Sequence, residues 1–171
     1  MKRVGLIIGA ALLLSGCTGP VRTRFGGQPA TTARDPVSAV AVEADSQADR
    51  HWPAIHAAIT EQGLNLDPAS PYRLAFAFGS RPAGSAILAS GGAVVSPARK
   101  RHLFQSCPGR TYRLVVTLTD TRTGDLIGRG WADEAHCRAA ADEALPALAA
   151  RAVAMLAHPV PQGSDLRWTR N

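Results

Sequence analysis

An alternating run that ends in a tight turn constrains the fold of this chain more than any other feature. In residues 111–120 (TYRLVVTLTD), every second side chain is apolar, which is the period of a strand with one buried face. Residues 121–124 (TRTG) form a turn in which the glycine can take a positive φ, and residues 125–133 (DLIGRGWAD) return as a partner strand. The apolar positions of the first strand are Tyr112, Leu114, Val116 and Leu118. The sequence therefore predicts an antiparallel hairpin.

Further strands and two helices are predicted around this hairpin. Trp52, Ile55 and Ile59 share one helical face, and a second, Ala-rich helix ends before Pro159. The fold class that follows is α+β, a small mostly antiparallel sheet with two helices packed on one face in the order β-α-β-β-β-α. The predicted segments are a strand at 37–44, a helix at 46–62, a strand at 72–78, a long loop at 79–97 that allows a brief strand at Ala93–Val95, and a helix at 137–157.

The N-terminus has the pattern of an export signal. Met1–Arg3 is positively charged, and the apolar stretch Val4–Leu14 is too short to span a bilayer as a helix. The sequence Leu14-Ser15-Gly16-Cys17 then resembles the lipobox of bacterial lipoproteins, in which an aliphatic residue and two small residues precede a cysteine. The resemblance implies that residues 1–16 are removed and that Cys17 is lipidated. The alternative is an ordinary secretory signal that contains a cysteine.

Two further segments are predicted to be loosely structured. Residues 17–36 are rich in glycine and proline and read as a flexible tether, with at most a short strand at Val21–Phe25. Residues 160–171 read as a C-terminal tail, which leaves 37–159 as the folded domain. Thr18 stands where an aspartate would favour inner-membrane retention, so the resemblance implies a lipid anchor in the outer membrane, with the domain facing the periplasm.

The positive charge is carried mostly by arginine and is scattered along the sequence. The formal net charge is +6, and the one cluster, Arg99, Lys100 and Arg101, is the predicted contact with an envelope protein or cell-wall partner. A nucleic-acid-binding chain would concentrate such residues on one face together with aromatic residues. The scattered pattern here therefore predicts no nucleic-acid partner. Attraction to anionic lipid headgroups is the expected use of the surplus charge.

The two remaining cysteines flank the predicted hairpin. Cys107 precedes its first strand and Cys137 follows its second, so pairing of the strands brings the two ends together, and an oxidising compartment favours a disulfide. The alternative is a metal site built from His102, Cys107, His136 and Cys137, but this spacing differs from known zinc signatures. The expectation is a disulfide and no metal.

The region 37–159 is similar to a family of bacterial lipoproteins that carry the uncharacterised domain DUF4136. The similarity rests on the helix that ends at Ala57–Leu64 (AAITEQGL), the strand Tyr72–Phe78 and the hairpin Leu114–Trp131 (LVVTLTDTRTGDLIGRGW). The resemblance implies an α+β envelope domain with no known reaction and no catalytic residues.

Motifs for catalysis are absent from the sequence. It contains no nucleophile elbow, P-loop or dinucleotide-binding glycine motif. Asp133–Glu134 and Asp142–Glu143 are interpreted as solvated charges, Trp131 as a core residue, and His51 and His56 as surface residues. The predicted function is therefore a membrane-anchored, non-catalytic binding or structural module without a cofactor. The alternative is a periplasmic module for a small ligand or a metal.

Overall fold

The computed structural model confirms the α+β class. It describes residues 21–29, 37–47, 49–99, 109–137, 140–158, 160–161 and 166–170. In these ranges the elements are β1 (Val21–Pro29), β2 (Ala39–Val40), α1 (Ala44–Gln47), α2 (Trp52–Glu61), β3 (Asn65–Leu66), β4 (Tyr72–Pro82), β5 (Ile87–Leu88), β6 (Val94–Ser96), β7 (Arg110–Asp120), β8 (Leu126–His136), α3 (Ala141–Ala157) and β9 (Leu166–Arg170).

A five-stranded antiparallel sheet in the order β4-β7-β8-β1-β9 is the centre of the fold. The predicted hairpin forms β7 and β8, the second and third strands in this order, and Gly124 in the turn has a φ of 77°. Two smaller pairs accompany this sheet: β2 and β3 are parallel, and β5 and β6 form an antiparallel hairpin. The long loop predicted at 79–97 therefore contains the end of β4 and a further hairpin.

The apolar core includes residues of the sheet and of the two longer helices. The alternating side chains Leu114 and Val116 are fully buried and belong to the same apolar cluster as Ile55 of α2 and Leu148 of α3. Helix α3 packs on β1, β7 and β8, and α2 packs against α3. Within the described ranges, no helix has both the length and the apolar character that crossing a membrane requires.

Two segments that were predicted to be loosely structured contain strands, and the first of them includes the short strand allowed at Val21–Phe25. β1 covers nine residues of the predicted tether and pairs with both β8 and β9, and β9 lies in the predicted tail. Gly27 of β1 resembles a linker residue in the sequence, but its role is close packing. A Cβ on Gly27 would lie 3.1 Å from the Cβ of Met155 in α3, so the small residue lets the helix approach the sheet.

The predicted order of elements also changes at the start of the domain. Of the strand expected at 37–44, Ala39–Val40 forms β2, which pairs with β3, and Ala41 makes a single parallel bridge to Arg73 of β4. The helix expected from Ser46 begins at Trp52, where His51 is the N-cap and makes no side-chain capping hydrogen bond. Pro53 lies in the first turn of α2, where proline is tolerated because the first backbone N–H groups have no partner within the helix.

Candidate binding site

A row of charged side chains crosses the sheet on the face opposite the core. Asp133 of β8 lies directly across from Arg113 of β7 and from Arg24 of β1, and Arg24 in turn lies across from Arg167 of β9. Directly opposed residues project from the same face of a sheet, so strand pairing alone gathers three arginines around one carboxylate.

A cavity of about 240 Å³ opens beside this row, and we call it the arginine cavity. Four arginines and one carboxylate line it. The segment after β6 contributes part of the wall, so the cavity lies between the sheet and this segment. The lining residues are Arg24, Arg81, Ser96, Pro97, Arg99, Thr111, Asp133 and Arg167.

The single carboxylate of the cavity is held by two donors. Arg113 Nη1 donates to Asp133 Oδ2 over 3.0 Å, and the hydroxyl of Ser96 donates to the same oxygen over 2.9 Å. Arg81 Nη2 donates to Ser96 Oγ over 2.6 Å. Both Ser96 and Asp133 are buried, so this network fixes the end of β6 to the sheet and offsets the negative charge of Asp133.

The arginines lie in a partly dehydrated environment. Burial lowers the pKa of the Arg113 and Arg99 guanidinium groups, although the charge of Asp133 opposes the shift in both cases. The Arg113 guanidinium also stacks 4.5 Å from the ring centroid of Trp131, and that of Arg24 lies 5.9 Å from it. Arginine side chains keep their positive charge at neutral pH, and poor hydration increases the attraction of Arg113 and Arg99 for an anion.

Two polar atoms at the cavity are buried without a hydrogen-bond partner among the described residues. One is the hydroxyl of Thr111, a residue with only 4% of its surface exposed, and the other is Nε of Arg81. Arg81 and Thr111 are directly opposed on β4 and β7. Buried polar groups are nearly always paired, and within the described residues these two donors could serve a hydrogen-bond acceptor in the cavity.

Arg99 is the one residue of this site that the sequence predicts to make a contact. Arg99 lines the cavity, whereas Lys100 and Arg101 lie outside the described residues, as do Cys17, Cys107 and His102. The other arginines were missed because they are far apart in sequence. The polar positions of the alternating strand β7, Thr111 and Arg113, were the available signal that its second face carries function.

Three interpretations of individual residues are wrong. Asp133 and Glu134 are buried in β8 and are not solvated charges, because each has partners on its own face of the sheet. Trp131 is half-buried on the arginine side and not in the core. His51 is buried against Phe78, with ring centroids 4.6 Å apart.

Other interpretations of single residues agree with the structure. His56 is exposed on α2, and Asp142 and Glu143 are exposed in the first turn of α3. Acidic side chains in that turn interact favourably with the positive end of the helix dipole. These three residues take no part in the arginine cavity.

The residues considered for a metal have other partners where the structure describes them. His136 Nε2 lies 2.8 Å from Oε2 of the buried Glu134, and the hydroxyl of Thr23 donates to the other oxygen of that carboxylate. Cys137 is disulfide-bonded, and its partner is outside the described residues. A disulfide sulfur is not a thiolate ligand. The described part of the chain holds no group of three or more His, Cys, Asp or Glu suited to a metal.

Comparisons by sequence find no relatives for this chain. No model of a known protein family matches it, and no curated protein is significantly similar to it.

Comparisons by structure find distant similarities. A PDZ domain protein from Parabacteroides distasonis aligns over 95% of this chain with 9% identity and a TM-score of 0.52. The alignment covers 42% of that protein, so this chain spans less than half its length. Two crystal forms of the PelC dodecamer from Paraburkholderia phytofirmans align over 79% of this chain and 97% and 98% of theirs, with 10% identity and a TM-score of 0.46. At these identities the first similarity concerns the fold alone.

Proposed function

We propose that this protein is a lipid-anchored envelope lipoprotein whose domain is a non-catalytic binding module for an anionic group. The observation that carries the proposal is the arginine cavity, where four arginines and one carboxylate surround about 240 Å³. The lipobox-like sequence at Leu14–Cys17 supports the anchor and the periplasmic location. The resemblance to DUF4136 lipoproteins, with both helices on one face of the sheet, is part of the same proposal.

The chemistry of the cavity favours an oxyanion over other ligands. Guanidinium groups match the geometry of phosphate, sulfate and carboxylate oxygens and donate several hydrogen bonds at once. Thr111 and Arg81 each add a buried donor without a partner in the described residues. The carboxylate of Asp133 is already engaged by Arg113 and Ser96, so its role is to position donors.

Binding of inorganic phosphate to the full mature lipoprotein in a neutral detergent tests the proposal. Calorimetric titration is expected to show saturable binding at one site. In an Arg99→Gln variant, phosphate is expected to bind about 10- to 100-fold more weakly, since a hydrogen bond to a charged group contributes about 1.5–3 kcal/mol. Arg99 follows β6 in a segment without regular structure, so the substitution should leave the sheet intact.

A matched control separates the cavity from net charge. Arg129 of β8 is exposed and opposes Thr117, outside the cavity lining. Arg129→Gln removes the same charge and is expected to leave phosphate affinity within about twofold, because exposed charges at a distance are screened. Equal weakening by both variants, or no phosphate binding at all, would show that the cavity is not an anion site.

The second candidate, a module for a metal or another small ligand, has a weaker basis. It would use His102, Cys107, His136 and Cys137, and Cys137 is not available as a thiolate while it is disulfide-bonded. Titration of the oxidised protein with Zn²⁺ distinguishes the candidates: the anion-binding proposal expects no zinc affinity that depends on His136.

A further inference from the structure

The arginine cavity lies at the end of the molecule that a lipid anchor would hold against the membrane. We infer that its ligand is the phosphate of an anionic lipid headgroup, and that apolar side chains of the β5–β6 hairpin enter the membrane interface beside it. This inference rests on the proposed function, because it names the source of the anion that the cavity binds.

The start of β1 limits how far the cavity can be from the anchor. Val21 begins β1, and four residue steps separate it from Cys17, so a fully extended chain reaches at most about 14 Å. The carbonyl of Arg22, the next residue, accepts a hydrogen bond from Nη2 of Arg99 over 3.5 Å. Arg99 lines the cavity. A lipid on Cys17 would therefore keep the cavity close to the headgroup layer, which is roughly 5–8 Å deep on each side of a bilayer.

The hairpin β5–β6 exposes a group of large apolar side chains that have little packing of their own. Leu88 and Val94 oppose each other across the hairpin and are 58% and 61% exposed. Ile87 and Val95 are also exposed. Side chains of this kind gain free energy when they leave water for the apolar part of a membrane interface.

The cavity and the hairpin are joined through Ser96, the last residue of β6. Ser96 is 1% exposed, donates to Asp133 and accepts from Arg81. Arg113 Nη1 lies 3.5 Å from the carbonyl oxygen of Val95. The apolar tip therefore extends from the wall of the cavity itself, and one surface presents positive charge beside exposed aliphatic groups. Anionic membrane interfaces offer the matching pair, phosphates beside hydrocarbon.

Hydrogen exchange of the full lipoprotein in vesicles tests the inference. The protein is inserted through its own lipid into vesicles of phosphatidylcholine, or of phosphatidylcholine with phosphatidylglycerol. Amides of residues 86–96 are expected to exchange at least about fivefold more slowly in the anionic vesicles, as expected from about 1 kcal/mol for each arginine near an anionic surface. Leu88→Ser with Val94→Ser is expected to abolish the slowing while phosphate still binds the cavity.

Two control variants keep the result specific. Leu66→Ser alters an exposed leucine of β3, which pairs with β2 outside the large sheet and away from the cavity lining. Arg129→Gln removes a charge outside the cavity. Both are expected to retain the slowing, whereas Arg99→Gln is expected to reduce it.

The outcomes separate this inference from the function on which it rests. If phosphate binds the cavity but the hairpin exchanges equally in both vesicles, the ligand is a free anion and the inference is overturned while the proposed function stands. Equal slowing in neutral and anionic vesicles also overturns it, since headgroup charge then has no role. Slowing that requires phosphatidylglycerol, and that is not reproduced by free phosphate with neutral vesicles, supports it.

Discussion

Gly130 is the residue at which the sheet leaves no space for a side chain. A Cβ there would lie 1.9 Å from the carbonyl oxygen of Ala152 in α3, and a backbone atom cannot move without shifting the helix. Gly130→Ala is therefore expected to lower the free energy of unfolding by about 3 kcal/mol or more, measured by urea denaturation. Gly79→Ala is the control, because a Cβ there meets nothing within 4 Å and stability should stay within about 1 kcal/mol. Equal losses in the two variants would contradict close packing at Gly130.

The environment of Glu134 leads to a second prediction about stability. This carboxylate is fully buried and accepts a hydrogen bond from Thr23 of β1. Thr23→Val keeps the shape and removes the donor, so we expect a loss of about 1–3 kcal/mol in unfolding free energy. Thr119→Val, at a half-buried position of β7, should change stability by less than about 0.5 kcal/mol. If Thr23→Val leaves the free energy of unfolding unchanged, the hydrogen bond from β1 does not stabilise the buried Glu134.

At the scale of elements, the sequence predicts the strands and helices that have a clear apolar period. It predicts poorly the strands that are defined by pairing with distant strands. The alternation of β7, the turn at Gly124 and the apolar face of α3 are all local signals, and the structure confirms them. The signals for β1 and β9 are weaker, because the sequence allows only a short strand at Val21–Phe25 and indicates none at 166–170. Gly27 of β1 resembles a linker residue until α3 is placed over it, where its small size lets Met155 approach. Local composition cannot distinguish a flexible glycine from one that packs under a helix.

The hairpin of β7 and β8 also carries the prediction of the Cys107–Cys137 disulfide. Cys137 follows β8 directly and is disulfide-bonded. Closing a loop of about 30 residues contributes of order 3–4 kcal/mol, so reduction is expected to lower unfolding free energy by about that amount. Peptide mapping of the unreduced lipoprotein should recover a Cys107–Cys137 pair and no free thiol. A Cys17–Cys137 peptide would contradict both this pairing and the lipidation of Cys17.

At the scale of the whole molecule, the candidate site is a product of topology. Its arginines come from β1, β4, β9 and the segment after β6, and no spacing in the sequence relates them. Arg99 was predicted because it belongs to a local cluster, but Arg24 and Arg167 meet only through the pairing of β1 with β9. β1 and β9 thus bring half of the cavity's arginines, from two segments that the sequence predicts to be mostly loose chain.

The position of β1 gives the final prediction, because it replaces a long predicted tether with four residue steps. Inserting twelve Gly and Ser residues between Gly19 and Pro20 leaves the lipobox unchanged and adds a flexible segment with an end-to-end distance of roughly 20 Å. The effective concentration of headgroups at the cavity then falls, so the slowing of hairpin exchange in anionic vesicles should decrease. The same twelve residues added after Asn171 should have no effect. If hydrogen exchange of the hairpin is slowed as much in the inserted variant as in the original protein, binding of the cavity to the membrane does not depend on a short anchor.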